Sequence, residues 1–238
     1  PADDDQLSFD KSLRSIVVYS WETFDPISRG LVKLLGFLYG IVPNYGICII
    51  LLTFIIKTLM HPLTRKALVS GHQMQKLQPH LKTIKEKHGS DPRTQQEEMM
   101  KMWREHGVSP FGSCLPMFVQ IPVFIALYGA FARDFSLRQA PFISSWINDL
   151  SQPDQLFALP FVVPFLGWTH FNLLPVLYLV LQIIQMSMTP PSADPQMRQQ
   201  QQMMKIMPIF FMWFFYIMPS GLVLYFTISA AYTLAEHW

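Results

Sequence analysis

Apolar and polar stretches alternate along this chain, and the apolar ones have the spacing or the length of helices. The first of them, residues 27–43, places four leucines and a valine at the three- and four-residue intervals of one helical face. This spacing predicts an amphipathic helix that lies along a membrane surface. Pro43 and Asn44 interrupt the pattern and precede a more uniformly apolar run.

The later apolar runs predict helices that cross a membrane. A helix needs about 20 mostly apolar residues to cross about 30 Å of hydrocarbon. The predicted spans are approximately residues 45–63, 111–132, 173–188, 206–218 and 221–236. The proline-rich apolar stretch 156–172 predicts a short interfacial or re-entrant element instead. The pattern therefore predicts an all-α polytopic membrane protein with five transmembrane helices.

Composition and charge distribution support this class and give it an orientation. The chain is 50% hydrophobic and 14% charged, whereas a soluble domain has about a quarter of its residues charged. Residues 64–107 contain nine Lys or Arg against five Asp or Glu, and a Gly-Ser-Asp-Pro sequence divides them into two predicted helices. A basic excess between spans predicts a cytoplasmic hairpin. Residues 189–205 are then a second cytoplasmic connector, and the C-terminus is also cytoplasmic.

The start of the chain has a different character. Residues 1–26 contain six Asp or Glu against two Lys or Arg, and they begin with proline rather than methionine. We expect them to belong to a longer protein and to lie on the outer side of the membrane. Residues 44–238 would then be the five-helix core.

One charge lies inside the first predicted span. Lys57 follows a run of apolar residues, and a lysine in the middle of hydrocarbon costs about 2.5–3.5 kcal/mol on insertion scales. Thr53 shares its helical face. The side chain either extends to the headgroups, with His61 and Pro62 close behind it, or faces a polar cavity. The local pattern leaves both interpretations open.

The remaining intramembrane polar groups are few and uncharged. Polar side chains in membrane helices usually hydrogen-bond between helices, although together they can also line a groove. The set comprises Gln120, Gln182, Gln185, Thr227 and Ser229. The predicted spans carry no Asp or Glu away from their ends, which disfavours a proton-coupled transporter. Because no enzyme, phosphate-binding or metal-site motif is present, we expect a non-enzyme without cofactor or metal.

Methionines are concentrated around the two predicted cytoplasmic segments. Their flexible, polarizable side chains suit surfaces that accept varied apolar partners, although core filling is at least as likely for the methionines inside the spans. The predicted receiving surface for a partner comprises Met99, Met100, Met102, Met197, Met203 and Met204.

Several segments resemble, in order, the YidC/Oxa/Alb family of membrane protein insertases. Asn44-Tyr45-Gly46, the lysine-bearing span and His61-Pro62-Leu63-Thr64 are similar to the first conserved span of that family. The stretches beginning at Ser109 and Gln120 resemble its second conserved span, and Leu137 to Phe142 resemble the loop that follows. Pro219-Ser220-Gly221 and the four residues after it are similar to the final hairpin of the bacterial members.

This resemblance implies five helices around a hydrophilic groove that opens to the cytoplasm and to lipid. It also implies that residues 1–26 are the end of a periplasmic region. Lys57 matches the position of the family's groove cation, which is usually arginine, so the charge is kept but the planar fork is lost. Groove-lining positions fall on Thr53, Gln120, Tyr225 and Phe226, and we add Gln185 to them. The implied function is insertion of nascent membrane proteins into the bacterial inner membrane, alone or with the Sec translocon.

The implied partners are nascent membrane proteins and the lipid bilayer, with the Sec translocon, the ribosome and the signal recognition particle pathway as further candidates. No direct nucleic-acid readout is expected. Two other functions stay open at this point. One is a small-solute channel or transporter built around the same cation. The other is a structural assembly factor without a groove, in which Lys57 packs against a helix terminus or carbonyl groups.

Overall fold

The computed structural model describes residues 25–88, 91–107, 115–133, 137–161, 167–188 and 195–236, and these residues are mostly helical. They form eight α-helices and one short two-stranded ribbon. The helices are α1 (Asp25–Ile41), α2 (Tyr45–Lys76), α3 (Gln78–Lys87), α4 (Pro92–Glu105), α5 (Leu115–Arg133), α6 (Leu173–Ser187), α7 (Pro195–Phe215) and α8 (Ser220–Glu236).

Helix α1 has the two-sided character that its leucine spacing predicts. Leu35 and Leu38 are buried, whereas Phe37, on the other side of the helix, is 67% exposed. Its buried face packs against α2 and α5. The location of this helix in a membrane interface stays a prediction.

Helix α2 is longer than the predicted span 45–63, because it continues through Pro62 to Lys76. Proline removes one backbone donor from a helix but does not end it where other groups satisfy the carbonyls. By length and composition, Tyr45–Gly71 is long and apolar enough to cross a bilayer. The first part of the predicted hairpin 64–107 therefore belongs to the same helix as the predicted span.

The basic hairpin, α3 and α4, has a small hydrophobic cluster of its own. Leu77, Leu81 and Met102 are buried together there. Asp91 starts α4, because its side chain accepts hydrogen bonds from the backbone N–H groups of Arg93 and Thr94. Pro92 then occupies the first helical position, where its missing N–H has no consequence. This local chemistry agrees with the sequence.

The other helices form a bundle around α8. Helix α8 packs against α2 and α6, and α7 packs against α6. Shorter apolar helical segments are Phe118–Phe131, Leu173–Ser187 and Lys205–Phe215. Helix α7 begins at Pro195, so the second half of the predicted connector 189–205 is helical. The lengths of these segments do not by themselves establish five spans.

A capping loop, residues 137–156, closes one end of this bundle. Its Leu137, Ile147 and Leu150 belong to the same buried core as the bundle helices. The loop leads into β1 (Phe157–Ala158), which pairs antiparallel with β2 (His170–Phe171). The apolar stretch 156–172 therefore contains a β-ribbon where the sequence predicted an interfacial or re-entrant element.

Candidate functional site

Lys57 lies between α2 and α8. Its Nζ donates a hydrogen bond to the Thr233 hydroxyl at 3.1 Å, and the side chain is partly buried. The Thr233 hydroxyl in turn donates to the Ser229 carbonyl at 3.0 Å. The ammonium group is therefore held inside the bundle by a neutral partner in the last turn of α8.

A second contact joins the same two helices one turn further along. His61 Nδ1 and Glu236 Oε1 are 2.5 Å apart, and the side chains are 48% and 10% exposed. The two contacts connect residues 176 and 175 positions apart, so α2 and α8 run parallel here. The charge of Glu236 also acts on Lys57 through space. Lys57, His61, Thr233 and Glu236 form a polar ladder at the end of the bundle that leads into the basic hairpin.

The ladder corrects one inference from the sequence. The predicted spans carry Asp or Glu only at their ends, so the sequence offered Lys57 no acidic neighbour within a span. Parallel packing brings the Glu236 carboxylate to the next turn of the interface. The sequence signal was present but indirect: Lys57 and His61 are four residues apart, and Thr233 and Glu236 are three apart, so each pair shares a helical face.

Thr53 has a different environment from the one its groove assignment suggests. It is fully buried, and its hydroxyl donates to the Ile49 carbonyl of its own helix at 2.7 Å. A hydroxyl bonded in this way is satisfied without a neighbouring helix. The role of Thr53 as a groove-lining residue remains a prediction.

Gln120 and Tyr225 form a second polar contact inside the bundle. The Gln120 amide donates to the Tyr225 hydroxyl at 3.4 Å, and Tyr225 is fully buried. Phe226 lies beside this pair, with its ring centroid 5.0 Å from that of Phe215 and 5.7 Å from that of Phe124. On α6, Gln182 donates to the Tyr178 hydroxyl at 2.7 Å. Gln185, three residues later, is partly buried.

The structure thus brings the predicted site residues together in two groups. Lys57 belongs to the ladder between α2 and α8, while Gln120, Tyr225 and Phe226 belong to a polar and aromatic group around α5 and α8. Between these two groups, the described part of the chain shows no direct hydrogen bond. The same part contains no cluster of three or more His, Cys, Asp or Glu side chains that could hold a metal ion.

The predicted methionine surface is divided as well. Met100 and Met203 are 43% and 68% exposed. Met100 lies in a shallow depression on α4 that Arg93, Lys101 and Arg104 also line. Met99 is partly buried against the hairpin cluster. Met197 and Met204 lie on α7, and their side chains fall outside the described residues.

Met102 is the methionine that the structure removes from this surface. It is 7% exposed and packs with Leu77 and Leu81 between α3 and α4. Core filling, which the sequence analysis considered only for methionines inside the spans, explains the position of Met102 in the hairpin. Its spacing on α4 puts it on the face turned toward α3, whereas Met100 falls on the opposite side.

The opposite end of the bundle contains a buried carboxylate that sequence reasoning missed. Asp154 is 3% exposed and accepts hydrogen bonds from the Leu174 N–H, at 2.7 Å, and from the Trp146 indole N–H. Burial raises the pKa of Asp154 above its ordinary value, and these two hydrogen bonds oppose the rise. Asp154 thereby joins the capping loop to the beginning of α6.

Backbone groups join the capping loop to α8 in the same way. The N–H groups of Ser220 and Gly221 donate to the carbonyls of Gln152 and Leu150 at 2.7 and 2.9 Å. These are first-turn amides, which have no partners within their own helix. Together the loop contacts close this end of the bundle, while the polar ladder lies at the other end.

Comparison with known proteins identifies the family. Residues 37–238 match a family described as the 60Kd inner membrane protein. The chain belongs to this family. It is therefore a multi-pass protein of the inner membrane, and the resemblance to YidC/Oxa/Alb insertases is confirmed.

Individual relatives agree with this assignment. A protein of Syntrophobacter fumaroxidans named membrane protein insertase YidC is 43% identical over 229 residues, which are 95% of this chain and 39% of that protein. A Treponema pallidum protein of the same name is 41% identical over 212 residues, which are 89% of this chain and 34% of that protein. The chain thus spans between a third and two-fifths of the length of these curated relatives.

A solved structure extends the agreement to the fold. A crystal structure of an active YidC insertase, with its first transmembrane domain resolved, matches 90% of this chain and 46% of its own. The TM-score is 0.64 and the sequence identity is 29%. The helical architecture described above is therefore that of a YidC insertase.

Proposed function

We propose that this chain is a membrane protein insertase and chaperone, which receives nascent membrane proteins and releases them sideways into the bilayer. Family membership and the names of the relatives support this proposal. The observation that carries it is Lys57, a partly buried ammonium group between α2 and α8, with a neutral hydroxyl as its hydrogen-bond partner. No covalent chemistry is involved.

The proposal includes five spans, formed by α2, α5, α6, α7 and α8. Large apolar side chains cover the outward faces of the first four, and contiguous apolar surface of this kind is unusual unless lipid or a partner covers it. Examples are Leu51, Leu59, Phe118, Ile121, Val180, Ile183, Ile209 and Phe210. The basic hairpin then lies in the cytoplasm by its excess of Lys and Arg.

The proposed mechanism begins on the cytoplasmic side. Exposed methionines such as Met100 and Met203 receive an apolar client segment. The hydrophilic tail of the client approaches Lys57, whose charge lowers the free energy of an acidic side chain inside the membrane. The apolar segment then moves into lipid, and removal of its surface from water supplies the driving free energy.

Larger partners belong to the proposal on the family resemblance alone. Members of the family insert small proteins by themselves and assist the Sec translocon with larger ones. We extend that cooperation to this chain, together with delivery of clients by the ribosome and the signal recognition particle pathway.

The test is insertion of a single-span client with an acidic tail into liposomes that contain the chain. Lys57→Ala is expected to reduce insertion about tenfold, because it removes the positive charge near the tail. Lys57→Glu is expected to reduce insertion more than tenfold, because it puts a negative charge in its place. Lys57→Arg should restore it. Lys66→Ala, which removes an exposed lysine from the same helix, is the matched control and should insert normally.

A second candidate is a structural assembly factor without a groove, and one observation favours it. The Lys57 ammonium lies at the last turn of α8, where the helix dipole favours a positive charge whether or not a client is present. In that case Lys57→Ala and Lys57→Glu would lower thermal stability in detergent, and folded variants would insert the client as the wild type does. A channel predicts instead that Lys57 variants change ion conductance while insertion is unaffected.

A further inference from the structure

The carboxylate of Glu236 lies in an electrostatically unfavourable position. It is the last residue of α8, and the negative end of a helix dipole disfavours an anion. Its side chain is only 10% exposed, and its Oε2 is buried without a hydrogen-bond partner among the described residues. A buried carboxylate in such a position depends on nearby positive charge.

Two basic side chains on α2, His61 and Lys57, lie near this carboxylate, and only His61 contacts it directly. His61 contacts Oε1 at 2.5 Å. Lys57 lies one turn before His61, its direct hydrogen bond goes to the neutral Thr233, and the charge of Glu236 reaches it through space. The Glu236 carboxylate thus lies one helical turn from the Lys57 contact without a direct hydrogen bond to the ammonium group.

We infer that Glu236 is an internal competitor of the client, an anion that occupies the field of Lys57 in the empty protein and is displaced by an acidic client tail. This inference rests on the proposed function and adds a specificity-determining residue to it. Because one ammonium group cannot fully neutralise two carboxylates, the client and Glu236 compete for the same charge.

The competition has a consequence for client selection. While Glu236 is charged, an acidic tail must displace it to interact with Lys57. A weakly acidic tail is therefore stabilised little by Lys57. When Glu236 carries no charge, Lys57 stabilises acidic tails more strongly, whereas the insertion of neutral tails is unaffected. Glu236 therefore sets how strongly the protein distinguishes acidic from neutral tails.

The experiment compares two clients that differ only in their tails, one with aspartates and one with asparagines at the same positions. Each is inserted into liposomes that contain the full chain, and the ratio of the two rates is measured. Glu236→Gln is expected to raise the acidic-to-neutral ratio about threefold, the scale of one partly screened charge interaction. The control is Glu86→Gln, which removes an exposed carboxylate from α3 and should leave the ratio unchanged.

His61→Gln is expected to change the acidic-to-neutral ratio in the opposite direction. Loss of the imidazole leaves the Glu236 carboxylate more available to Lys57, so the ratio should fall below that of the wild type. This variant also decides the matter if Glu236→Gln does not fold. A carboxylate that only joins α2 to α8 would give lower stability and equal losses for both clients in both variants, with no change of ratio.

The outcomes separate the inference from the proposed function. If the wild type inserts neither client, the proposed function is wrong. If the wild type inserts both and prefers the acidic tail, but the ratio stays unchanged in Glu236→Gln and in His61→Gln, the function stands and the role of Glu236 is overturned.

Discussion

The capping loop and the basic hairpin are attached to opposite ends of the same bundle, and only the loop is part of the bundle's core. Leu137 and Leu150 of the loop are buried with residues of α2, α6 and α8. The hairpin instead buries Leu81 and Met102 in a separate cluster. The contrast indicates that the loop end contributes to global stability, while the hairpin end can change locally.

Two aspartates, one in the capping loop and one in the basic hairpin, have pKa shifts in opposite directions. Asp154 of the capping loop is buried, and burial raises its pKa. Asp91 of the hairpin is exposed, and hydrogen bonds from the Thr94 hydroxyl and from the N–H groups of Thr94 and Arg93 lower its pKa. The same residue type therefore makes the stability of the two regions depend on pH with opposite signs.

The largest expected effect is at Gly46, where α2 begins under the capping loop. A Cβ at this position would lie 2.0 Å from Cδ2 and 2.6 Å from Cβ of Phe142. Rotation of the ring cannot remove the second contact, and Asn44 fixes the Phe142 carbonyl through a 3.1 Å hydrogen bond. Gly46→Ala should lower the free energy of unfolding by about 3 kcal/mol or more, measured by denaturant unfolding in detergent.

Gly36→Ala is the control for this prediction. Gly36 lies in the middle of α1, and a Cβ there meets nothing within 4 Å. Alanine is the better helix former by about 1 kcal/mol, so this variant should be as stable as the wild type or more stable. If Gly46→Ala and Gly36→Ala changed the free energy of unfolding equally, Phe142 of the capping loop would not be packed tightly against Gly46 of α2.

The next largest effect is expected at Asp154. Asp154→Ala leaves the Leu174 N–H and the Trp146 indole N–H without their acceptors in a buried site. At about 1–3 kcal/mol for each unsatisfied buried donor, the loss should be about 2–6 kcal/mol. Thermal unfolding in detergent measures it, and an unchanged transition would show that the loop does not stabilise the bundle.

The pH dependence of the same site provides a second measurement. Because the folded state raises the pKa of Asp154, the folded protein binds this proton more tightly than the unfolded chain does. The contribution of Asp154 is therefore most favourable below the unfolded pKa, and it decreases as the pH rises through the folded pKa. Asp154→Asn should remove this decrease, so stability curves of the two proteins against pH should differ in slope over that window.

The smallest effect is expected at Asp91 of the basic hairpin. Its lowered pKa means that its capping contribution is present above the unfolded pKa and is lost as the pH falls through the folded pKa. Asp91→Ala should speed hydrogen exchange of the Arg93 and Thr94 amides and leave the unfolding transition of the bundle in place. A global loss of stability as large as that of Asp154→Ala would contradict the separation of the two regions.

Local features of this protein could be derived from its sequence because the groups involved are close along the chain. The leucine spacing of α1 and the Asp91-Pro92 start of α4 each depend on a few consecutive residues. The charge of Lys57 within an apolar run needs no tertiary information either. Family membership followed from short motifs whose order along the chain was informative.

Other features depended on contacts between distant residues. The predicted spans carry no acidic residue away from their ends, but parallel packing of α2 and α8 brings Glu236 against His61, which is 175 positions away and one helical turn from Lys57. The same is true of Asp154, whose burial depends on α6, and of Met102, which faces α3 while Met100 does not. Helical periodicity defines which residues share a face. Which face meets which is decided by the packing free energy of the whole bundle, and the pattern of a single helix does not contain that information.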